Sequence, residues 1–183
     1  MITRNPNFAT AGFAAGLFIL NLAGCTPESA TPGSPAISVP PSLEAVFTST
    51  APPGAVSIAE ARRNPQPGEP IVLFGKVMGV REPFVAERAV MVIGDDDVLA
   101  SCDESGEDPC KTPWDCCCED KTLIRNHIVT VQALDSSGSV IQHTLEDLHG
   151  LDKLSRVVVS GVIGEGSSPE TLIVNASAIH VEP

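Results

Sequence analysis

Five cysteines crowd into residues 95–120, at positions 102, 110, 116, 117 and 118, in the spacing C-x7-C-x5-C-C-C. Thiols at this density do one of two things: they pair as disulfides in an oxidising compartment, or they hold a thiophilic metal as thiolates. The same stretch carries the only Trp, ten of the 23 acidic residues and a single basic residue, Lys111. It has too few apolar residues to build a core of its own, so sulfur chemistry is what can order it.

Under the disulfide reading, five cysteines cannot all pair within one chain. Adjacent cysteines rarely bond each other, because the small ring strains the peptide between them. Cys117 and Cys118 therefore reach back to Cys102 and Cys110. Loops of this size contribute on the order of 2–3 kcal/mol when closed. The metal reading uses the same four residues, Cys102, Cys110, Cys117 and Cys118, with zinc or copper(I) as the ion. The spacing departs from the paired C-x-x-C knuckles of most zinc sites, and four thiolates would leave a negative centre among carboxylates. Calcium held by Asp95, Asp96 and Asp97 with Asp103 or Glu104 is a further option, but the loop spacing of a calcium hand is missing. Disulfides are the preferred expectation, and a zinc or copper site is the alternative.

The sixth cysteine has a different setting. Residues 11–20 form an apolar run too short to span a bilayer, and Leu22-Ala23-Gly24-Cys25 closes it with small residues. The run reads as a signal peptide over residues 1–24. The tetrapeptide resembles the bacterial lipobox, which implies cleavage before Cys25 and lipid attachment to its sulfur. The partner implied is the membrane, reached through that lipid, and two or more acyl chains give stable anchorage. Thr26 rather than Asp follows the cysteine, which favours the outer membrane of a cell envelope, facing the periplasm. Removing 24 of the 183 residues leaves 159, and the loss of Arg4 takes the formal charge from −12 to −13.

Residues 25–54 carry seven prolines among Ser, Thr, Ala and Gly and read as a disordered tether. Residues 42–47 offer a short apolar patch that could pack on the domain. The folded part then begins at residue 55 and runs to 183. Ser57 with Glu60 three residues on resembles a capping box, with Pro65 ending a short helix. Apolar, β-branched runs at residues 70–80, 88–93, 128–134, 157–163 and 171–181 read as strands, with Gly75 and Gly79 marking bends or bulges. Residues 135–138 turn into an extended piece at 140–144. Leu145, Leu148, Leu151 and Leu154, spaced by three, read as a short helix before the fourth long strand.

This order resembles the OB-fold over residues 70–181, with 72–77 and 157–162 similar to its first and fourth strands. The fold class implied is all-β: a small five-stranded Greek-key barrel with a short helix, and the acidic cysteine-rich insert between strands 2 and 3. A β-sandwich would need further strands that the chain does not supply.

The segment from Thr112 to Cys118 is also similar to a T-P-W-D-Y-C-C phrase in uncharacterised secreted or lipid-anchored proteins of planctomycete type. That resemblance implies that Cys116, standing where the phrase has Tyr, is the unpaired thiol and tolerates exchange for Tyr or Ser.

Several functions are excluded or weakened. Single-stranded nucleic acid needs a positive groove with aromatic platforms, whereas this chain has a pI of about 4.6 and no Tyr. Nucleic acid is therefore not an expected partner; a protein of the envelope is. His127, His143, His149 and His180 are scattered, and Asn175-Ala176-Ser177 matches a glycosylation sequon by chance. No C-x-x-C, G-x-S-x-G or phosphate-loop motif is present, so no catalytic residues are assigned and no enzyme is expected. The expectation is a lipid-anchored envelope protein with a structural or interaction role and a disulfide-stapled loop, the alternative being a metal-binding envelope lipoprotein.

Overall fold

Short runs of β-branched residues alternate inward and outward along the chain, and five of them close into a barrel. The structure is a computed structural model that describes residues 38–104, 110–168 and 170–183. Residues 1–24, read as a signal peptide, Cys25 and the first part of the expected tether lie outside the described residues. The strands are β1 (Pro70–Lys76), β2 (Val90–Gly94), β3 (Ile128–Gln132), β4 (Arg156–Ile163) and β5 (Ile173–Val181). They close in the order β1-β2-β3-β5-β4, with β4 returning to pair with β1. All neighbours are antiparallel except β3 and β5, which run parallel from Thr130–Ile173 to Gln132–Asn175. This is the all-β, OB-fold-like barrel expected from the sequence, with the cysteine-rich insert between β2 and β3.

The core follows from the alternation. Leu73, Met91, Ile93, Val131, Val159, Val174 and Ile179 are all but fully buried in one cluster. Each such side chain contributes about 1.5–3 kcal/mol by leaving water. At Gly161 the β4–β5 register slips by one residue, and a Cβ there would stand 2.2 Å from the Asn175 carbonyl oxygen. Only glycine permits that approach, which lets the strand coil to close the barrel.

Three expectations need correction. The tether does not run disordered to residue 54. Helix α1 (Pro41–Glu44) places Leu43 and Val46 in the barrel core, Phe47 bridges to Ile179, and the Thr48 N–H bonds to the Ile179 carbonyl at 2.9 Å. Leu43, Val46 and Phe47 fall on one face of a helical turn, and burying that face offsets the ordering entropy. Second, the piece at 140–144 makes only a single bridge, Val140 to Leu134. Third, the leucine-spaced stretch forms one 3-10 turn, Leu148–Gly150, flanked by Asp147 at φ 70° and containing His149 at φ 50°. Leu145 and Leu151 are nevertheless fully buried, so their spacing reports burial along a looped path.

The capped helix is present as α2 (Ile58–Ala61), with the Ser57 hydroxyl accepting from the Glu60 N–H at 3.2 Å. A further helix, α3 (Lys121–Asn126), was not anticipated. Asp120 caps it by accepting from the Thr122 and Leu123 N–H groups at 2.8 and 3.0 Å.

Candidate metal site

The end of β1 is where the barrel takes hold of the insert. Met78, two residues past the strand, packs with Leu99 and Cys116 in a second, smaller cluster, joined by Trp114, Leu123, Ile124 and Ile128. Gly79, at φ +97°, turns the chain so that its N–H donates to the Trp114 carbonyl at 3.0 Å. The indole N–H of Trp114 in turn donates to the Arg81 carbonyl at 2.8 Å. Two backbone hydrogen bonds then join the arms of the insert: Cys102 N–H to the Asp115 carbonyl and Asp103 N–H to the Pro113 carbonyl, both 2.9 Å.

That pairing sets the sulfurs. Cys102, Cys117 and Cys118 place their Sγ atoms within 4.8 Å of one another, close enough to hold a metal ion. Cys102 and Cys117 are 3.5 Å apart. Cys110 is not one of the three; its Sγ bonds to the carbonyl and the hydroxyl of Thr112, both at 3.6 Å. Cys102 is buried, Cys110 half-buried, and Cys117 and Cys118 exposed.

The expected disulfides are not formed. All five described cysteines are free thiols. The Cys102–Cys117 separation of 3.5 Å is far outside the S–S bond length of about 2.05 Å. Sulfurs at about 2.3 Å from a tetrahedral zinc stand roughly 3.8 Å from each other, so the observed spacing fits a shared ion.

The thiols differ in acidity. Burial, then hydrogen bonding with Cys117 and Cys110, pushes Cys102 up to about 11, while the Cys117 backbone N–H works in the opposite direction. Backbone and hydroxyl hydrogen bonds at Thr112 bring Cys110 below the ordinary thiol range. At Cys117 the hydrogen bond with Cys102 pulls down, but desolvation and the sulfurs of Cys118 and Cys110 together push the thiol up. A bound cation favours the thiolate at every one of these sulfurs and overrides such differences.

Cys116 stands apart. It is fully buried between Met78 and Leu99, and its thiol is pushed up to about 12, first by burial and then by the Asp115 charge. Tolerance of Tyr or Ser at this position does not fit the packing. A tyrosine would have to displace Met78 and Leu99, and a serine would bury a hydroxyl among apolar atoms.

The other sequence candidates are engaged separately. Asp96 pairs with Arg156 at 2.8 Å, Asp95 accepts from the Ala59 N–H at 3.2 Å, and Asp103 and Glu104 turn to Lys76. The carboxylates considered for calcium are thus not gathered around one point. The histidines are dispersed too: His127 on the Leu123 carbonyl, His143 on that of Thr144, His180 on that of Thr48, and His149 on Glu44 at 2.7 Å. An open groove of about 660 Å³ is lined by Phe47, His149 and His180 and shares no lining residue with the thiol site. Sequence reasoning missed Lys76. The signal was there, as the only charged residue in the apolar run from Ile71 to Val80.

Comparison with known proteins identifies no relative: no family model, no curated protein and no solved structure matches the chain.

Proposed function

We propose that this protein is a lipid-anchored protein of the cell envelope whose barrel presents a thiolate metal site, binding zinc or copper(I) through Cys102, Cys110, Cys117 and Cys118. The convergence of three sulfurs, those of Cys102, Cys117 and Cys118, within 4.8 Å is the observation that carries this reading, and Cys110 is proposed as the fourth ligand. A soft thiolate set suits a thiophilic ion, which is why zinc and copper(I) are favoured over hard cations. The exposure of Cys117 and Cys118 supports a site from which the ion can be exchanged with a partner, rather than one sealed in a core. Anchorage rests on Leu22-Ala23-Gly24-Cys25 and on lipid at Cys25. The role is binding and not catalysis.

Two measurements test this. Mature protein isolated from the envelope should carry one thiophilic ion per chain, by elemental analysis. Four thiols should become titratable only after a chelator removes that ion. An oxidised protein four hydrogens lighter than its reduced form, with no metal, would return the cysteines to the disulfide reading. Separately, Cys25→Ser should abolish acyl labelling and release the protein from membranes; a mutant that still takes up labelled palmitate would sink the anchorage.

A further inference from the structure

The turn that carries Cys102 is short, polar and rich in acid, and such a segment does not hold a fixed position unaided. Its flanking residues all converge on one side chain. The Lys76 ammonium, at the end of β1, donates to Ser101 Oγ at 2.8 Å and to Glu104 Oε1 at 2.8 Å, and stands 3.7 Å from Asp103 Oδ2. The Ser101 hydroxyl passes its own hydrogen to Asp103 Oδ1 at 2.5 Å. Residues on both sides of Cys102 are therefore tied to a single cation.

That cation is deeply placed. Lys76 is 7% exposed and Ser101 fully buried. Burying an ammonium is costly unless its donors are met, and among the described residues its side-chain partners all belong to the insert. Its backbone, by contrast, is fixed by the barrel, where Lys76 lies opposite Gly94 on β2 and Arg156 on β4. Lys76 thus links the sheet to the turn that carries Cys102. It also answers the charge problem: four thiolates on a divalent ion are negative overall, in a segment with ten carboxylates.

We infer that Lys76 is a positioning residue of the thiol site, holding the Ser101–Glu104 turn so that Cys102 meets Cys117 and offsetting the negative charge of the assembled thiolates. This rests on the metal-binding reading above. Outer partners that orient ligands change metal affinity by roughly 10–100-fold when removed.

The test uses cobalt(II) and zinc on the full mature chain, comparing wild type with Lys76→Met and Lys76→Arg. Lys76→Met keeps the aliphatic stem and removes the charge. It should weaken cobalt(II) binding by roughly 10-fold or more and dim the sulfur-to-cobalt charge-transfer band, while far-UV circular dichroism stays that of the barrel. Lys76→Arg should recover most of the band, because it restores the charge and donors. Wild-type affinity and spectrum in Lys76→Met would overturn the inference. If Lys76→Met does not fold, Glu104→Gln decides, since Glu104 is half exposed and outside the core. That variant should bind severalfold more weakly, and unchanged binding would overturn the inference equally. If wild type takes up neither of these ions, nor copper(I) supplied under reducing conditions, the metal reading fails by itself. The placement is then read by dibromobimane bridging of Cys102 to Cys117, located by peptide mass mapping. Slower bridging in Lys76→Met supports the positioning role, and equal bridging removes it.

Discussion

The barrel and the cysteine insert are built on opposite principles. The barrel buries a continuous cluster of aliphatic side chains and closes its strands on one another, so apolar burial and strand pairing hold it together. The insert has three buried residues in its own cluster, Met78, Leu99 and Cys116, and one of them comes from the barrel side. What fixes the rest is polar: two backbone bonds between its arms, the Lys76 contacts and the Asp120 cap. A region ordered in this way opens locally at far lower free energy than the sheet beneath it. That suits a binding loop carried on a rigid support.

The largest effect should come from the barrel. Leu73→Ala removes a fully buried side chain from β1 and should cost about 2–5 kcal/mol. On a domain of this size, the loss corresponds to a fall in Tm of roughly 10 °C. Differential scanning calorimetry should record it as a shift of the whole transition. A loss confined to the insert, with the barrel transition unmoved, would show that the two regions are not divided as described.

A smaller, local effect is expected in the insert. Leu99→Ala and Cys116→Ser each disturb the second cluster, the first by a cavity and the second by a buried hydroxyl worth about 1–3 kcal/mol. Trp114 packs against that cluster and is the only Trp, so its fluorescence reports the region. Both variants should change that fluorescence and speed hydrogen exchange across 98–120, while the calorimetric transition of the barrel moves little. If either shifts the main transition as far as Leu73→Ala does, the insert and barrel form one cooperative unit and the comparison breaks.

The same division explains what could be read from the sequence. The strands were legible because alternation of apolar and polar residues reflects a physical period, and residues 128–132 carry it clearly. In β5, by contrast, the buried positions change parity between Val174 and Ile179 across the register shift. The insert was legible as a place, through its cysteine density, and as a choice between two chemistries. The spacing of the sulfurs depended on how the arms cross, which is set by the bonds from Cys102 to Asp115 and from Gly79 to Trp114. No periodicity encodes those. The strap at residues 41–47 was hidden by its prolines, whose count outweighed three well-spaced apolar side chains. Leu145 to Leu154 misled in the other direction, since a spacing of three is shared by a helix and by a looped path that dips repeatedly into a core. Lys76 was overlooked because a single lysine in a strand ordinarily faces solvent.

The smallest effect separates the two regions by acid. On the barrel side, the turn after β3 is built on Asp135. One carboxylate oxygen accepts from the Ser137 N–H at 2.8 Å, the Ser137 hydroxyl at 2.6 Å and the Ser139 N–H at 3.0 Å. The Ser137 hydroxyl first, and then the Ser139 and Ser137 N–H groups, hold the Asp135 carboxyl below its ordinary value of 3.8. The sign follows from proton uptake. With a folded pKa below the unfolded one, the unfolded chain binds more protons in that window, so stability rises with pH there. The contribution is present above 3.8 and is lost as pH falls through the folded value. Asp135→Asn keeps a side-chain oxygen for the N–H donors but cannot titrate. The Tm difference between wild type and Asp135→Asn should therefore be largest near neutral pH and shrink below about pH 4. Trp114 fluorescence should not follow that difference, because the turn and the insert share no contact through Asp135 in the hydrogen bonds of the described residues. A Tm difference that stays constant down to about pH 2 would show that the carboxylate bonds in this turn add nothing to the folded state.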